Sequence, residues 1–360
     1  MKETVNLTAQ QRAIVEATEP YIVVVASAAA GKTRCITERV RWLLNNGVPA
    51  SEIVTITFTN AAAEEISERL GNPDGLFIGT IHSLANYYLR AGGVDTSRVL
   101  NDERFDDLFK LIKKNPDCVR QVSYLIVDEA QDSNPQQFEF LLDMINPKNY
   151  MLMGDHRQSI YRFNGATPDY ILNMMESPEV TTYELNENYR NAPEILCYAQ
   201  QLIRSLGYDY EDDSIAMRRD VRGRVVNVDY SEPGITRTIQ RYIDEGRSSY
   251  GDWFVLTRTN AELEAIKAAL DKANIPNDTF KKAQLTNKGL KDKMHENTVK
   301  VLTIHTAKGL EADNVIVIGA RFRDVEEKCV SYVAATRARN LLVWTTKRKP
   351  KRQQTTYWGG

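Results

Sequence analysis

The clearest chemical signal in the chain is the segment Ala26-Ser-Ala-Ala-Ala-Gly-Lys-Thr33, which lies between a β-branched run and a stretch with helical periodicity. A loop that joins a strand to a helix directs backbone N–H groups and the helix N-terminus at a phosphate. In such a loop Lys32 reaches the β- and γ-phosphates, and the Thr33 hydroxyl binds Mg²⁺. The loop departs from the usual pattern because Ala26 stands at its first position and residues 27–30 contain no glycine, the residue that most easily adopts a positive φ. The segment therefore predicts phosphate binding, and a chance Gly-Lys-Thr after a strand is the alternative.

Two carboxylates form the second chemical signal, because Ile126-Val-Asp-Glu-Ala-Gln-Asp132 places them directly after an apolar run. Asp128 is in position to hold Mg²⁺ through water, and Glu129 is in position to polarise an attacking water molecule. An acidic cluster that begins a helix is the alternative, since negative charge is favourable near a helix N-terminus. Together the two segments predict a site for phosphate and Mg²⁺.

Alternating strands and helices must position these segments. Thr8 and Gln11 fit a capping box that opens a helix from about residue 8 to residue 17, and the β-branched run Tyr21–Val25 suits a strand buried on both faces. The alternation along the chain predicts an α/β fold of mostly parallel sheets flanked by helices. Further strands are predicted at 53–58, 122–127, 150–153, 225–228, 253–257, 299–303, 315–319 and 341–345, and further helices at 32–44, 61–70 and 135–145.

The predicted strands fall into two groups, which indicates two α/β lobes that join near residue 187. The predicted domains are residues 1–186, residues 187–346 and a basic tail at residues 347–360. Segment 86–120 is mostly helical by pattern, and segment 205–222 is polar.

The composition excludes several classes of protein. The 360 residues carry a formal net charge of −2, so nucleic-acid binding must come from a local track of positive and aromatic groups. No stretch of 18 apolar residues predicts a membrane-spanning helix, and Met1–Leu7 lacks the apolar core of a secretion signal, so a cytoplasmic location is expected. The scattered cysteines disfavour a disulfide framework and a zinc site, and the few histidines disfavour a multi-histidine metal centre.

Ten short motifs in a fixed order resemble the UvrD/Rep/PcrA branch of the superfamily 1 helicases, over nearly the whole chain. The residues of the last two motifs resemble those of the 3′→5′ subgroup. In chain order the motifs are Leu7-Thr-Ala-Gln-Gln11, the loop at 26–33, Thr57-Phe-Thr-Asn60, Gly79-Thr-Ile-His-Ser83, Asp128-Glu-Ala-Gln-Asp132, Gly154-Asp-His-Arg-Gln-Ser-Ile-Tyr161, Glu187-Asn-Tyr-Arg190, Thr257-Arg-Thr-Asn260, Thr303-Ile-His-Thr-Ala-Lys-Gly-Leu-Glu311 and Tyr332-Val-Ala-Ala-Thr-Arg-Ala338.

The resemblance implies two RecA-like P-loop NTPase lobes with ATP and Mg²⁺ as cofactors. It implies that Gln11 reads the adenine edge, that Arg34 and Tyr189 sandwich the adenine ring, and that Glu311 binds the ribose. The residues implied to bind ATP are Gln11, Ala26, Ser27, Ala28, Ala29, Ala30, Gly31, Lys32, Thr33, Arg34, Tyr189 and Glu311, and those implied to hold the metal are Thr33 and Asp128.

Catalytic roles are implied for Lys32, Glu129, Gln158, Arg190 and Arg337. Gln158 resembles the residue that senses the γ-phosphate. Arg190 and Arg337 resemble arginine fingers, which contribute a factor of about 10³–10⁵ to the rate in other enzymes. A surface ion pair is the alternative for both arginines.

The resemblance also implies contacts with single-stranded DNA. Aromatic residues at Phe58, Tyr161 and Phe163 match positions where the family stacks bases. The family usually has Trp where Phe163 stands and Arg where Asn164 stands, so one π-face is kept and one cation is lost. Positions near the strand backbone are matched by Thr57, Asn60, Thr80, His82, Arg258, Thr303 and His305. A core position is the alternative for Phe58, and a structural hydrogen bond is the alternative for His82 and His305; His156 is expected at the surface.

The implied activity is ATP-dependent 3′→5′ translocation on single-stranded DNA, with unwinding of duplexes that carry a 3′ overhang. Larger relatives carry sizeable domains where this chain has only residues 84–127 and residues 277–298, so two alternatives stay open, namely weak unwinding by the chain alone and unwinding with a protein partner that supplies accessory functions. The alternative is a nucleotide-switched DNA-binding module or loader that does not unwind duplexes alone.

Overall fold

The computed structural model describes residues 6–207, 210–280, 293–320 and 322–346. These residues form two compact units that interleave along the chain. The first unit takes the residues up to Asn191 together with Gln200–Asp220 and Asp324–Tyr332, and the second takes Ala192–Ala199, Val221–Arg323 and the residues from Val333 onward. The lobe boundary at residue 187 stays a prediction, and Arg190 and Tyr332, which follow it, belong to the first unit. The predicted basic tail lies outside the described residues.

A parallel sheet forms the centre of the first unit. Within the described residues it has six strands, namely β1 (Tyr21–Ala26), β2 (Ile53–Ile56), β3 (Phe77–Gly79), β4 (Tyr124–Val127), β5 (Asn149–Gly154) and β6 (Thr181–Leu185). Their order is β3-β2-β4-β5-β1-β6, and each neighbouring pair is parallel. Val23 and Val24 of β1 are fully buried, as expected for a β-branched strand covered on both faces. Because the strands are parallel, their carboxyl ends share one edge of the sheet.

Helices and side-chain caps connect these strands. The helices are α1 (Ala9–Val15), α2 (Lys32–Asn45), α3 (Asn60–Leu70), α4 (Ile81–Ala91), α5 (Ser97–Asn101), α6 (Asp107–Lys114), α7 (Pro135–Phe138) and α8 (Asp169–Met175). The predicted capping box between Thr8 and Gln11 is present at α1. The single α-helix predicted at 135–145 is wrong in its second half, because α7 continues as a π-helix over Glu139–Met144.

Two apolar clusters cover the two faces of this sheet. Val23, Val127 and Leu152 pack on one face with residues from α4 and α6. Val24, Ile126 and Met153 pack on the other face with residues from α1 and α2. Successive strand residues alternate between the clusters, so burial on both faces fixes the register of the strands.

A short parallel pair, β7 (Glu187–Asn188) with β8 (Ile215–Ala216), follows the sixth strand. The N–H of Ile215 donates to the Asn186 carbonyl at 2.7 Å, and the N–H of Met217 donates to the Asn188 carbonyl at 2.8 Å. This pairing holds residues 215–217 against the chain that leaves β6. The helix α9 (Pro193–Ile203) joins the two strands.

The second unit has its own parallel sheet. Within the described residues its strands are β9 (Arg224–Asp229), β10 (Trp253–Thr257), β11 (Asn277–Thr279), β12 (Val299–Thr303), β13 (Ala312–Ile318) and β14 (Ala338–Thr346), in the order β11-β12-β10-β13-β14-β9. All neighbouring strands are parallel. The helices α10 (Glu232–Asp244) and α11 (Asn260–Lys272) pack on this sheet around Ile239, Trp253 and Ile266. The helix α12 (Val325–Ala335) precedes β14.

The α/β fold predicted from the sequence, with two mostly parallel sheets flanked by helices, is confirmed. Strands β10 and β12 match their predicted bounds. The strands β3, β6 and β11 and the pair β7–β8 were not predicted. In the part of the chain that the structure describes, no helix combines the length and apolarity needed to cross a membrane.

Candidate functional site

The loop after β1 has the backbone geometry of a phosphate cradle. Gly31 caps α2 with a φ of 85°, and Ala29 adopts a φ of 59°, so an alanine takes the positive φ for which glycine is usually required. The N–H of Cys35 donates to the Gly31 carbonyl at 3.1 Å, which begins the α2 hydrogen-bond ladder. The N–H groups of Lys32, Thr33 and Arg34 precede that ladder and face the loop, where they can bind an anion.

Three residues from outside the loop hold its carbonyl groups. The Asn188 side-chain amide donates to the Ala28 carbonyl at 2.9 Å, and the N–H of Tyr189 donates to the Ala29 carbonyl at 3.2 Å. The amide of Gln11, predicted to read adenine, donates to the Ala30 carbonyl at 3.5 Å. The loop is therefore supported in its folded form by α1 and β7.

Lys32 lies beside the two carboxylates that the sequence assigns to hydrolysis. Its Nζ is 2.7 Å from Oε1 of Glu129. Burial of the lysine alone would lower its pKa, but the charges of Glu129, Asp128 and Asp155 outweigh burial and raise that pKa above the usual value. Lys32 is thus a fully charged group among three carboxylates.

Glu129 is held in a constrained conformation. Its φ is 51°, in the left-handed region, and its N–H donates to Oδ1 of Asp128 at 2.9 Å. Gln131 donates to Oε2 of Glu129 at 2.6 Å, and its own Oε1 accepts the N–H of Asp155 at 3.0 Å. A side chain at Gly154 would place its Cβ 2.4 Å from that Oε1, so a larger residue here would displace the Gln131 amide. Gln131 therefore joins the end of β4 to the end of β5.

A buried polar cluster follows β5. Nε of Arg157 donates to Oδ1 of Asp155 at 2.7 Å, and the amide of Gln158 donates to Oδ2 of the same carboxylate at 2.8 Å. Burial alone would raise the pKa of Asp155, but the adjacent Arg157 charge lowers it below the usual value. The expectation that His156 lies at the surface is wrong, because it is 4% exposed and its ring packs edge-on against Tyr210.

The two residues predicted to enclose the adenine ring lie near the loop. Tyr189 is 42% exposed, and its hydroxyl donates to Glu187 at 2.8 Å. Burial and the Glu187 carboxylate raise the pKa of Tyr189 to about 12. Arg34 donates to the Asn6 carbonyl at 2.9 Å.

Known protein families match both units of this chain. Residues 10–164 match the family described as an AAA domain, and residues 277–349 match the UvrD-like helicase C-terminal domain. YjcD of Bacillus subtilis (strain 168) is 26% identical over 369 residues, which cover 76% of this chain and 48% of that protein. The ATP-dependent DNA helicase PcrA of Leuconostoc citreum is 27% identical over 375 residues, with 76% and 49% covered. The ATP-dependent DNA helicase Rep of Escherichia coli (strain K12) is 25% identical over 371 residues, with 74% and 54% covered.

The chain is therefore similar to the UvrD/Rep/PcrA-like helicases. The resemblance stated from its motifs is thereby confirmed. The chain spans about half the length of these three relatives.

The aromatic residues predicted to contact DNA cluster on the first unit. Phe58 follows β2 and stacks on Tyr161 with 4.9 Å between ring centroids, and Phe163 meets Tyr161 edge-on at 5.9 Å. Phe163 is 66% exposed and Phe58 is 36% exposed, whereas Tyr161 is 3% exposed. The rings of Phe163 and Phe58 are accessible to bases, whereas the buried ring of Tyr161 packs against both.

The polar residues predicted near the DNA backbone lie at the carboxyl ends of β2 and β3. The N–H of Thr57 donates to the Gly79 carbonyl at 2.9 Å, which places the two strand ends side by side. Thr80 caps α4, and Asn60 begins α3. His82 lies 3.1 Å from Oδ1 of Asp106, so the hydrogen bond considered as its alternative role is present.

In the second unit the predicted residues fall on opposite edges of the sheet. Arg258 follows β10, and Thr303 and His305 lie at the end of β12, at the carboxyl edge. Glu311 and Arg337 directly precede β13 and β14, at the amino edge. Arg337 is 2% exposed, and its guanidinium donates to the Val333 carbonyl at 3.0 Å and the Leu310 carbonyl at 3.3 Å. The Glu311 carboxylate lies 3.4 Å from Arg339.

The donor set at the loop fits Mg²⁺ bound together with a nucleotide. Thr33 supplies a hydroxyl and Asp128 a carboxylate, the oxygen ligands that Mg²⁺ prefers, while substrate phosphates and water supply the rest. Among the described residues no group of three or more His, Cys, Asp or Glu side chains could hold a metal by itself.

Four residues in this region were given no role by sequence reasoning, namely Gln131, Arg157, Asp212 and Tyr332. Three of them stand inside quoted motifs, where neighbouring residues already had assigned roles. Asp212 lies in the run Glu211-Asp-Asp213, and nothing in the sequence distinguishes it from its acidic neighbours.

Proposed function

We propose that this chain hydrolyses ATP to move 3′→5′ along single-stranded DNA and unwinds duplexes that carry a 3′ overhang. The strongest support is the arrangement at one edge of the first sheet. The phosphate loop follows β1, the Asp128–Glu129 pair follows β4, and Asp155 with Gln158 follows β5, which lies between those two strands. Open α/β sheets bind ligands at this edge.

ATP binding would exchange the partner of Lys32. The loop N–H groups and Lys32 receive the phosphates, and the adenine lies between Arg34 and Tyr189, with Gln11 at its edge. Thr33 and Asp128 would hold Mg²⁺, which supplies charge neutralisation at the phosphates when bound. Once Lys32 binds phosphate, Glu129 loses its lysine partner and is free to polarise the attacking water.

Arg190 and Arg337 complete the proposed catalytic set as arginine fingers that stabilise the charge on the γ-phosphate. Arg190 follows Tyr189, whose N–H already contacts the phosphate loop. Arg337 is held by backbone carbonyls of its own unit, so its orientation is fixed before any phosphate binds. Pre-oriented charge of this kind needs no reorganisation during the reaction.

The segment that follows β5 offers a short route from nucleotide to DNA. Gln158 binds Asp155 within the buried cluster, and three residues later Tyr161 packs under Phe58 and Phe163. A change at the γ-phosphate that moves Gln158 would therefore reach the exposed rings through a few peptide units. Differential affinity of the two nucleotide states for the strand is what directed movement requires.

A second candidate is a nucleotide-switched DNA-binding module or loader that does not separate strands by itself. The short segment between the motif at Gly79 and the carboxylate motif favours this reading, because it forms only the rest of α4 with α5 and α6 among the described helices. Under this reading a protein partner supplies the surface that splits the duplex.

ATP hydrolysis with and without single-stranded DNA, followed by strand displacement on partial duplexes, tests both candidates. We expect DNA to stimulate hydrolysis and a 3′ overhang, rather than a 5′ overhang, to support displacement. Stimulation without displacement on either substrate would favour the loader. Hydrolysis that does not respond to DNA would contradict the translocase.

A further inference from the structure

Arg157 forms the centre of a buried cluster in the first unit that no motif role explains. Its side chain is 3% exposed, and it contacts two carboxylates, Asp155 at 2.7 Å and Asp212 at 3.2 Å. Its third nitrogen donates to Oγ of Ser27 at 3.0 Å. The guanidinium therefore bridges the phosphate loop, the turn after β5 and the polar segment before β8.

Asp212 accepts hydrogen bonds from the phosphate loop, from the turn after β5 and from α12. Its side chain is fully buried, and Oδ1 accepts from Arg157 and from the hydroxyl of Ser27 at 3.4 Å. Oδ2 accepts the hydroxyl of Tyr332, on α12, at 2.9 Å. The N–H of Ser214 also donates to Oδ1, at 3.1 Å, which fixes the carboxylate on its own turn.

The position of this cluster connects it to the phosphates. Ser27 is the second residue of the phosphate loop, and Asp155 directly holds Gln158. The Arg157 guanidinium lies between Ser27 and Asp155 and donates to both, and it also donates to Asp212, which orients it. A buried charge that loses its partner is strongly unfavourable, so Arg157 would move or recruit water if Asp212 were neutral.

We infer that Asp212 is a positioning residue for ATP hydrolysis, which fixes Ser27 and Arg157 so that the phosphate loop and Gln158 keep their mutual spacing. This inference rests on the proposed ATPase activity. Tyr332 adds a second restraint, because its hydroxyl holds the other oxygen of Asp212. The polar segment 205–222 thus contributes to catalysis without touching the nucleotide.

The first test replaces Asp212 with Asn, which keeps the shape and removes the charge. A small displacement of positioned groups costs on the order of 100-fold in rate, so we expect kcat of the DNA-stimulated ATPase to fall by about that factor. The KM for ATP should change much less, since the loop N–H groups and Lys32 remain. The matched control is Glu211→Gln, an exposed neighbour with the same change in charge, which should keep wild-type kcat.

A second variant keeps the test decisive if Asp212→Asn does not fold. Tyr332→Phe removes one hydroxyl and no charge, and we expect a smaller loss of kcat, on the order of tenfold, again without a matching rise in KM. Asp212→Glu, which restores the carboxylate, should recover part of the loss. All rates are measured well below each variant's melting temperature.

Two outcomes would overturn the inference. Folded variants with a lower melting temperature but wild-type kcat would make Asp212 a purely structural residue. A rise in KM with unchanged kcat would place it in ground-state binding instead. Failure of the proposed function is a separate result, because the wild-type chain would then show no ATP hydrolysis that Lys32→Ala removes.

Discussion

The two six-stranded sheets place their predicted ligand residues on different edges. In the first unit the phosphate loop, the Asp128–Glu129 pair and the exposed rings of Phe58 and Phe163 all follow the carboxyl ends of strands. In the second unit only the residues predicted to meet DNA do so, and Glu311 and Arg337 precede their strands. The common rule for ligands of open α/β sheets therefore covers the phosphate loop and the Asp128–Glu129 pair of the first unit, but not Glu311 and Arg337 of the second.

One turn has the same backbone in both units, and its side chains show a further difference between the units. In each unit a short 3₁₀ helix is followed by a strand and then by the sequence Thr-x-Thr-Asn, which leads into a helix. This sequence lies at residues 57–60 and again at residues 257–260. The hydroxyls of Thr57 and Thr257 donate to the carbonyls of Thr59 and Thr259, at 2.9 and 3.1 Å. Thr59 and Thr259 cap the following helices with nearly equal backbone angles.

The third helical residue differs between the two turns. In the second unit Glu262 accepts the N–H groups of Arg258 and Thr259, at 3.1 and 3.0 Å. In the first unit Ala62 occupies that position and has no carboxylate to offer. The two turns therefore share a backbone conformation but differ in their side chains. The first turn carries the aromatic ring of Phe58 and has no capping carboxylate. The second turn carries the cation Arg258, and its main-chain N–H groups are capped by Glu262.

The largest effect is expected from Lys32→Ala, because Lys32 lies in the phosphate loop of the first unit and is proposed to receive the phosphates. Loss of a group that stabilises transition-state charge costs about 10²–10³-fold in kcat, and we expect at least that decrease in ATP hydrolysis. The control is Lys267→Ala, an exposed lysine of the second unit that pairs with Asp271 at 2.6 Å. Equal losses of ATP hydrolysis in both variants would contradict the proposal that the phosphate site lies in the first unit.

Phe163→Ala tests the exposed rings of the first unit. Stacking on an aromatic ring contributes roughly 1–3 kcal/mol per base, so binding of single-stranded DNA should weaken by about 5- to 150-fold. The KM for ATP without DNA should stay unchanged. Phe322→Ala in the second unit, which removes a ring that is 46% exposed, serves as the control for loss of exposed apolar surface. An equal loss of ATP and DNA binding would identify Phe163 as a structural residue.

Ala62→Glu converts the first turn into the form of the second. The added carboxylate can accept the N–H groups of the turn and should raise the melting temperature slightly. It also repels the DNA backbone, so we expect about tenfold weaker binding, or 1.4 kcal/mol. Ala61→Glu adds the same charge one residue earlier, where it cannot form the capping box. If both variants weaken DNA binding equally, the added charge alone explains the effect, and the main-chain N–H groups of the turn do not contribute to DNA binding.

The smallest effect is expected from Ala29→Gly in the phosphate loop. Glycine adopts a φ of 59° without the penalty that alanine experiences, so the free energy of unfolding should rise by up to about 1 kcal/mol. Ala28→Gly has no positive φ to relieve and should lower the free energy by about 0.5–1 kcal/mol. Thermal unfolding of the two variants measures the difference, and a lower stability for Ala29→Gly would contradict the strain assigned to that residue.

The sequence predicted what depends on local patterns. The β-branched run gave β1, the Thr8–Gln11 pair gave the start of α1, and the motifs located the residues around Lys32 and Glu129. The π-helix after α7 was missed because its apolar spacing resembles an α-helix. His156 was misplaced because burial depends on Tyr210, which lies far away in the chain.

The cluster around Arg157 could not be predicted for a related reason. Asp212 hydrogen-bonds to partners that are 55 to 185 residues distant in the chain, and it lies just before β8, which pairs with β7. Neighbouring Glu211 and Asp213 are also acidic but are exposed, whereas Asp212 is buried. Local sequence therefore identifies an acidic run, and only the tertiary structure distinguishes its buried member.

Under the proposed function, the ion pair between Lys32 and Glu129 would make the protein its own inhibitor before nucleotide binds. The Glu129 carboxylate would occupy the place of a phosphate oxygen, so nucleotide affinity would reflect a competition between two anions for one ammonium group. Neutral glutamine at residue 129 would abolish that competition, and such a protein would retain ATP more tightly while failing to cleave it. The same side chain would thus limit premature binding and, after it is displaced, enable cleavage.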